Sequence, residues 1–126
     1  MYRAYGLLKP DHPFTLEEAA RRLQAQFPNY SVQLRDAQQI TVATDAWEIE
    51  LRLNSGPEVA EESLHIAEKI GGEDAVELAQ CLTRVEVWSE TPDYEIEHFD
   101  DFQTVIAVLK TFPGLIAVNP EEPGLL

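Results

Sequence analysis

The segment Trp47–Leu53 constrains the fold more than any other stretch. Trp47, Ile49, Leu51 and Leu53 alternate with Glu48, Glu50 and Arg52. This is the two-residue period of a β-strand, whose successive side chains point to opposite faces. One face is apolar and the other charged. Such a strand belongs to a sheet with one covered and one wet side, not to an all-parallel sheet buried on both faces.

Helices must supply the cover, and three long ones are predicted. The first starts at Thr15, an N-cap with Glu18 three residues on as in a capping box. Leu16, Ala19, Ala20, Leu23 and Phe27 form its apolar stripe, and Pro28 stops it. The second opens at Pro57, a residue suited to a first helical turn. It would bury Val59, Ala60, Leu64, Ala67 and Ile70 and end at Gly71. A short helix over 73–80, with Val76 and Ala79 inward, follows. The last helix would be capped by Asp100 and bury Phe102, Val105, Ile106, Leu109 and Phe112, with Pro113-Gly114 beyond it. Further strands are expected at 2–9, 30–35, around Ile40 and Val42, at 82–89 and at 115–118. In the fourth of these, Val85 and Val87 face one way and Glu86 and Trp88 the other.

The order β-α-β-β-β-α-α-β-α-β predicts an α+β fold. We expect an antiparallel or mixed sheet of about five to six strands, with three to four helices packed on one face. A ferredoxin-like core with additions is one candidate. The chain reads as a single domain over 1–126, with an irregular tail at 119–126 that holds two prolines and a glycine. At 126 residues it can bury a sufficient core without disulfides or metals. The single cysteine, Cys81, sits among apolar residues and is expected to be a small buried hydrophobe. With no signal-peptide-like start and no apolar run of membrane-spanning length, the expected compartment is the cytoplasm.

Charge narrows the range of functions. The net charge is −14, from 23 acidic and 9 basic residues. That disfavours nucleic acid and anionic membranes as partners, because their phosphates would be repelled. The charge is uneven: residues 1–44 carry five basic and four acidic groups, and 45–126 carry four basic and nineteen acidic. No Lys or Arg occurs between Arg84 and Lys110.

Catalytic motifs are absent. There is no HExxH, no cysteine cluster, no glycine-rich phosphate loop after a strand and no G-x-S-x-G. Neither His12 nor His65 has a ligand one helical turn on. The cluster Glu95, Glu97, His98, Asp100 and Asp101 lacks the spacing of a calcium loop. No cofactor or metal is expected.

What remains is an acidic stretch with interleaved aromatics. Trp88, Glu90, Asp93, Tyr94, Glu95, Glu97, His98, Asp100 and Asp101 are the candidate partner-binding residues, and Phe99 is interleaved with them in sequence. Aromatic anchors ringed by like charge suit a basic protein partner. In overall character the chain resembles the small acidic immunity proteins that bacteria make against their own secreted toxins, a likeness of type carried by no motif. It implies a non-enzymatic module that covers a basic toxin. One alternative is an enzyme or small-ligand domain using scattered residues such as Glu48, Glu50, His98 and Asp100. Another is a structural homodimer joined through an edge strand or Trp88.

Overall fold

The computed structural model describes residues 2–126. Six strands form one sheet: β1 (Tyr2–Leu8), β2 (Ser31–Arg35), β3 (Gln39–Ala43), β4 (Glu48–Asn54), β5 (Thr83–Ser89) and β6 (Leu115–Val118). Four helices connect them: α1 (Leu16–Gln26), α2 (Pro57–Ile70), α3 (Ala75–Ala79) and α4 (Phe99–Leu109). The strand order is β2-β3-β4-β5-β1-β6, and every neighbouring pair is antiparallel.

Strands two apart in this sheet therefore run parallel. β1 and β4 flank β5, and β5 and β6 flank β1. These are two interleaved split βαβ units, bridged by α1 and α4, and they make up a ferredoxin-like core. The additions are the β2–β3 hairpin, inserted between α1 and β4, and the α2–α3 pair, inserted between β4 and β5. The hairpin turns at Asp36 and Ala37, which both have positive φ.

The helices are divided between the two faces of the sheet. Leu16, Ala19 and Leu23 of α1 and Val105 and Leu109 of α4 pack on Ala4, Leu8, Ile49, Leu51, Val85 and Val87. Ile66 and Ala67 of α2 and Leu78 of α3 pack on the opposite face, against Tyr5, Leu7 and Val118, together with Cys81. The expected placement on one face thus holds for α1 and α4, while α2 and α3 lie on the other. The reason is local. β1 and β6 carry apolar residues on both sides, so one end of the second face needs cover.

That second packing surface also rotates α2. Its buried residues are Val59, Ser63, Ile66 and Ala67, while Leu64 is 53% exposed. In α3 Leu78 is buried and Val76 lies outward at 67% exposure. At α1 the Thr15 hydroxyl accepts from the Glu18 N–H at 3.2 Å. The Glu18 carboxylate turns to Arg21 and Arg22 instead of back to the cap, so the capping box is half formed. At α4 the N-cap position is His98, and Asp100 lies in the first turn. The tail at 119–126 has no helix or strand of its own, yet it folds back on β6 through a bridge between Val118 and Leu125.

Covering β5 on both faces buries charge. Arg84 is 3% exposed, with its guanidinium 3.9 Å from the centre of the Tyr5 ring. It donates to Glu86 at 2.8 Å and to both carboxylate oxygens of Glu62 at 3.2 Å. Glu86 also accepts from Arg52 at 2.8 Å and Asn54 at 2.9 Å. Burial pushes the Glu86 carboxyl up, but these donors outweigh it and hold it below the ordinary carboxylate range.

Two destabilisation tests follow from this packing, both read by urea unfolding. Leu109→Ala opens a cavity under α4 and should cost about 2–5 kcal/mol. Arg84→Ala leaves Glu86 short of a partner in a buried setting and should cost about 3–5 kcal/mol. An Arg84→Ala protein as stable as wild type would show that the network contributes nothing.

Candidate protein-binding surface

The nine residues expected to share one surface fall into three groups. Trp88 stands apart. It lies on the face of the sheet that carries α2, in register with Arg3 on β1 and Glu50 on β4. The Arg52 guanidinium is 5.6 Å from the centre of its ring. Strand alternation explains the separation: the chain leaves β5 after Ser89 and crosses to the other face, taking Tyr94 and Phe99 away from Trp88.

The second group anchors the segment. Asp93 accepts hydrogen bonds from the Tyr2 hydroxyl at 2.6 Å, the Glu97 N–H at 3.0 Å and the His98 N–H at 2.9 Å. Partial burial pushes its carboxyl up, but these three donors prevail and hold it below its ordinary value. Asp101 accepts from the Tyr30 hydroxyl at 2.6 Å and lies 2.9 Å from His98 Nδ1. The His98 ring stacks on Trp47 with centroids 4.7 Å apart and planes 3° from parallel. Tyr2 is in turn stacked on Phe102 at 5.2 Å and tilted against Phe99 at 5.8 Å. Two tyrosine–aspartate clamps and one stacked imidazole thus tie residues 93–101 to the sheet.

The third group is what the anchors present. Glu90, Tyr94, Glu95, Glu97 and Asp100 are exposed. So are two apolar residues outside the expected set: Ile96, 68% exposed, and Phe99. Tyr94 is 92% exposed. Ile96 has φ +57°, a left-handed conformation that a β-branched residue adopts only at a cost. Its amide donates to the Asp93 carbonyl at 3.1 Å, which closes the turn. Tyr2, Thr91, Asp93, Ile96 and Phe99 line a recess of about 420 Å³. A second recess of about 430 Å³, along α4, shares Phe99 with it.

Among the described residues, no group of three His, Cys, Asp or Glu side chains is placed to hold a metal ion. Nor are Glu48, Glu50, His98 and Asp100 brought together. Glu48 and Glu50 lie on the polar side of β4, whereas His98 stacks on Trp47, which belongs to the core on the other side. Among the described residues, no helix is long and apolar enough to cross a membrane.

The anchoring partners Tyr2 and Tyr30 are far from the segment in sequence, and no local pattern singles them out. Ile96 carries a weak signal, as the one aliphatic residue between Glu95 and Glu97. No family model, curated protein or solved structure matches the chain.

The clamps predict an alkaline signature. The hydrogen bond to Asp93, with burial and the carboxylate charge adding to it, raises the Tyr2 hydroxyl from 10.0 to about 12. Asp101 does the same to Tyr30, again to about 12. The folded state then keeps protons that the unfolded chain has already lost. This contribution to stability is full below pH 10 and is lost as the pH rises through about 12. Absorbance titration should show a late tyrosine step, and Asp93→Asn with Asp101→Asn should bring it back towards 10. A late step unchanged in the double variant would rule out the clamps.

Proposed function

We propose that the protein is a binding module, and that its 90–101 segment docks on a basic protein partner. The observation that carries the reading is an apolar, aromatic surface held out by a pinned turn. Tyr94, Ile96 and Phe99 are exposed on a segment whose ends are tied down by Asp93 and Asp101. A pinned loop loses little freedom on binding, so its contacts convert to affinity efficiently. The left-handed φ at Ile96 closes this turn at a conformational cost and leaves the Ile96 side chain in solvent. Glu90, Glu95, Glu97 and Asp100 ring the anchors, and no Lys or Arg occurs between Arg84 and Lys110. Carboxylates placed so steer a cationic partner and speed encounter.

The complex would be of the kind that acidic immunity proteins form with basic toxins, with a cytoplasmic module covering the toxin's working surface. The single cysteine, Cys81, is buried with its thiol pushed up to about 11 by burial, which leaves it unreactive and gives it no part in the contact.

Capture from a native lysate, with wild-type protein and the Glu95→Lys/Glu97→Lys and Tyr94→Ala variants as bait, tests the proposal. The charge reversal should leave stability within about 0.5 kcal/mol, since both side chains are exposed. A protein retained by wild type and lost by both variants is expected to be basic. Its purified form should bind about tenfold or more weakly when salt rises from low to physiological ionic strength. Affinity indifferent to salt, or equal capture by the reversed bait, would sink the proposal.

A further inference from the structure

The two edges of the sheet are treated differently. The β6 edge is closed by the chain itself: Leu125 bridges Val118, and the Leu126 N–H donates to the Ala117 carbonyl at 2.9 Å. The β2 edge has no such cover. β2 is the outermost strand, and Ser31, Gln33, Leu34 and Arg35 are exposed on it. It carries no proline or lysine, and its one charged residue, Arg35, lies at the turn end of the strand.

The direction of its free groups can be read from the turn. The Arg35 carbonyl accepts from Gln38 N–H at 3.0 Å, so it points inward, towards β3. Alternation along the strand then turns the N–H and C=O of Val32 and Leu34 outward. The side chains of both lie on the α1 side of the sheet. Val32 packs against the core there, whereas Leu34 is 36% exposed.

Charge selects the occupant. A second copy of a −14 chain is repelled by most of this surface. The hairpin is the exception: residues 27–44 contain one basic group, Arg35, and one acidic group, Asp36. Like-charged copies meet at least cost along this edge. Its spacing is also self-complementary. Antiparallel pairing about a two-fold axis through Gln33 sets Val32 opposite Leu34 of the other copy, with their outward backbone groups facing. The same pairing sets Ser31 opposite Arg35 on the polar side.

We propose that two copies of this chain associate through their β2 edges, centred on Gln33, to make one sheet continuous across both. Val32 and Leu34 exchange backbone hydrogen bonds on each side of the axis, and Leu34 gains apolar cover. The surface at 90–101 plays no part in the contact. Because the like-charged bodies repel, added salt strengthens this association, opposite to its effect on a complex with a basic partner.

Sedimentation over a concentration series tests the contact, with far-UV circular dichroism to confirm folding. Wild type should approach twice the chain mass of 14.2 kDa as concentration rises. Gln33→Lys and Gln33→Glu each set like charges against each other on the axis and should weaken association about fivefold. An equimolar mixture of the two should restore it. Gln33→Cys gives an independent measurement. A non-hydrogen-bonded antiparallel pair has Cα atoms about 4.5 Å apart, within disulfide reach, so mild oxidation should link two chains through position 33. A wild-type monomer up to about 1 mM, the weak limit of specific association, would overturn the proposal. So would a dimer indifferent to both charge variants, or a mixture no tighter than either alone.

Discussion

Every layer of the molecule is fixed by the pairing of β1 with β5, which runs from Tyr2–Ser89 to Leu8–Thr83. The two strands form the middle of the ferredoxin-like core, and each presents a different chemistry to each side. Ala4, Leu8, Val85 and Val87 give α1 and α4 an apolar floor. Tyr5, Arg84 and Glu86 give the other side a polar one, on which α2 is nevertheless laid. A buried polar face must satisfy its own hydrogen bonds, because a charge without a partner in the interior is far more costly than an exposed one. The Glu62–Arg84–Glu86–Arg52 network is the consequence, and it holds α2 to the sheet through Glu62.

Much of this was legible in local patterns. The alternation of Trp47–Leu53 identifies β4, and the stripe from Val105 to Phe112 identifies the core side of α4. Those signals are strong because a single apolar layer lies beneath each element. The rotation of α2 was not legible, because an apolar stripe locates a helix face only when the floor beneath it is apolar. Its actual floor combines Tyr5 and Leu7 with Arg84, so Ser63 and Ile66 face in while Leu64 faces out. The site was legible only as a composition. Sequence marks 86–101 as acidic and aromatic, but contacts from Tyr2, Tyr30 and Trp47 decide which carboxylates serve as anchors. Such contacts between distant residues leave no local period. Trp88 lies elsewhere for a simpler reason: the chain changes sides of the sheet after Ser89, so nearness in sequence does not make a shared surface.

The clamps give the acidic segment two classes of carboxylate. Asp93 and Asp101 are occupied by tyrosine hydroxyls, whereas Glu90, Glu95, Glu97 and Asp100 remain solvated. Internal use of the first class keeps the second in a fixed arrangement despite mutual repulsion. The unequal charge along the chain has a spatial counterpart. The β2–β3 hairpin, in which Arg35 and Asp36 balance, forms one end of the sheet, whereas the anchored acidic segment packs on Tyr2, Tyr30 and Trp47.

The place of β1 in the strand order bears on how the chain reaches this structure. Tyr2 must find Ser89, and Leu8 must find Leu115, before the sheet has a centre. The strand earliest in the sequence is thus enclosed by the two latest. The β2–β3–β4 meander can form from neighbouring residues, but it has no partner for its β4 side until β5 is available. Closing such distant pairs carries a large loop entropy ahead of any gain, so folding is expected to be slow for a domain of this size. In the interval β1 is an unpaired strand with apolar residues on both faces. Of the six strands, it is the one most in need of protection until its partners arrive.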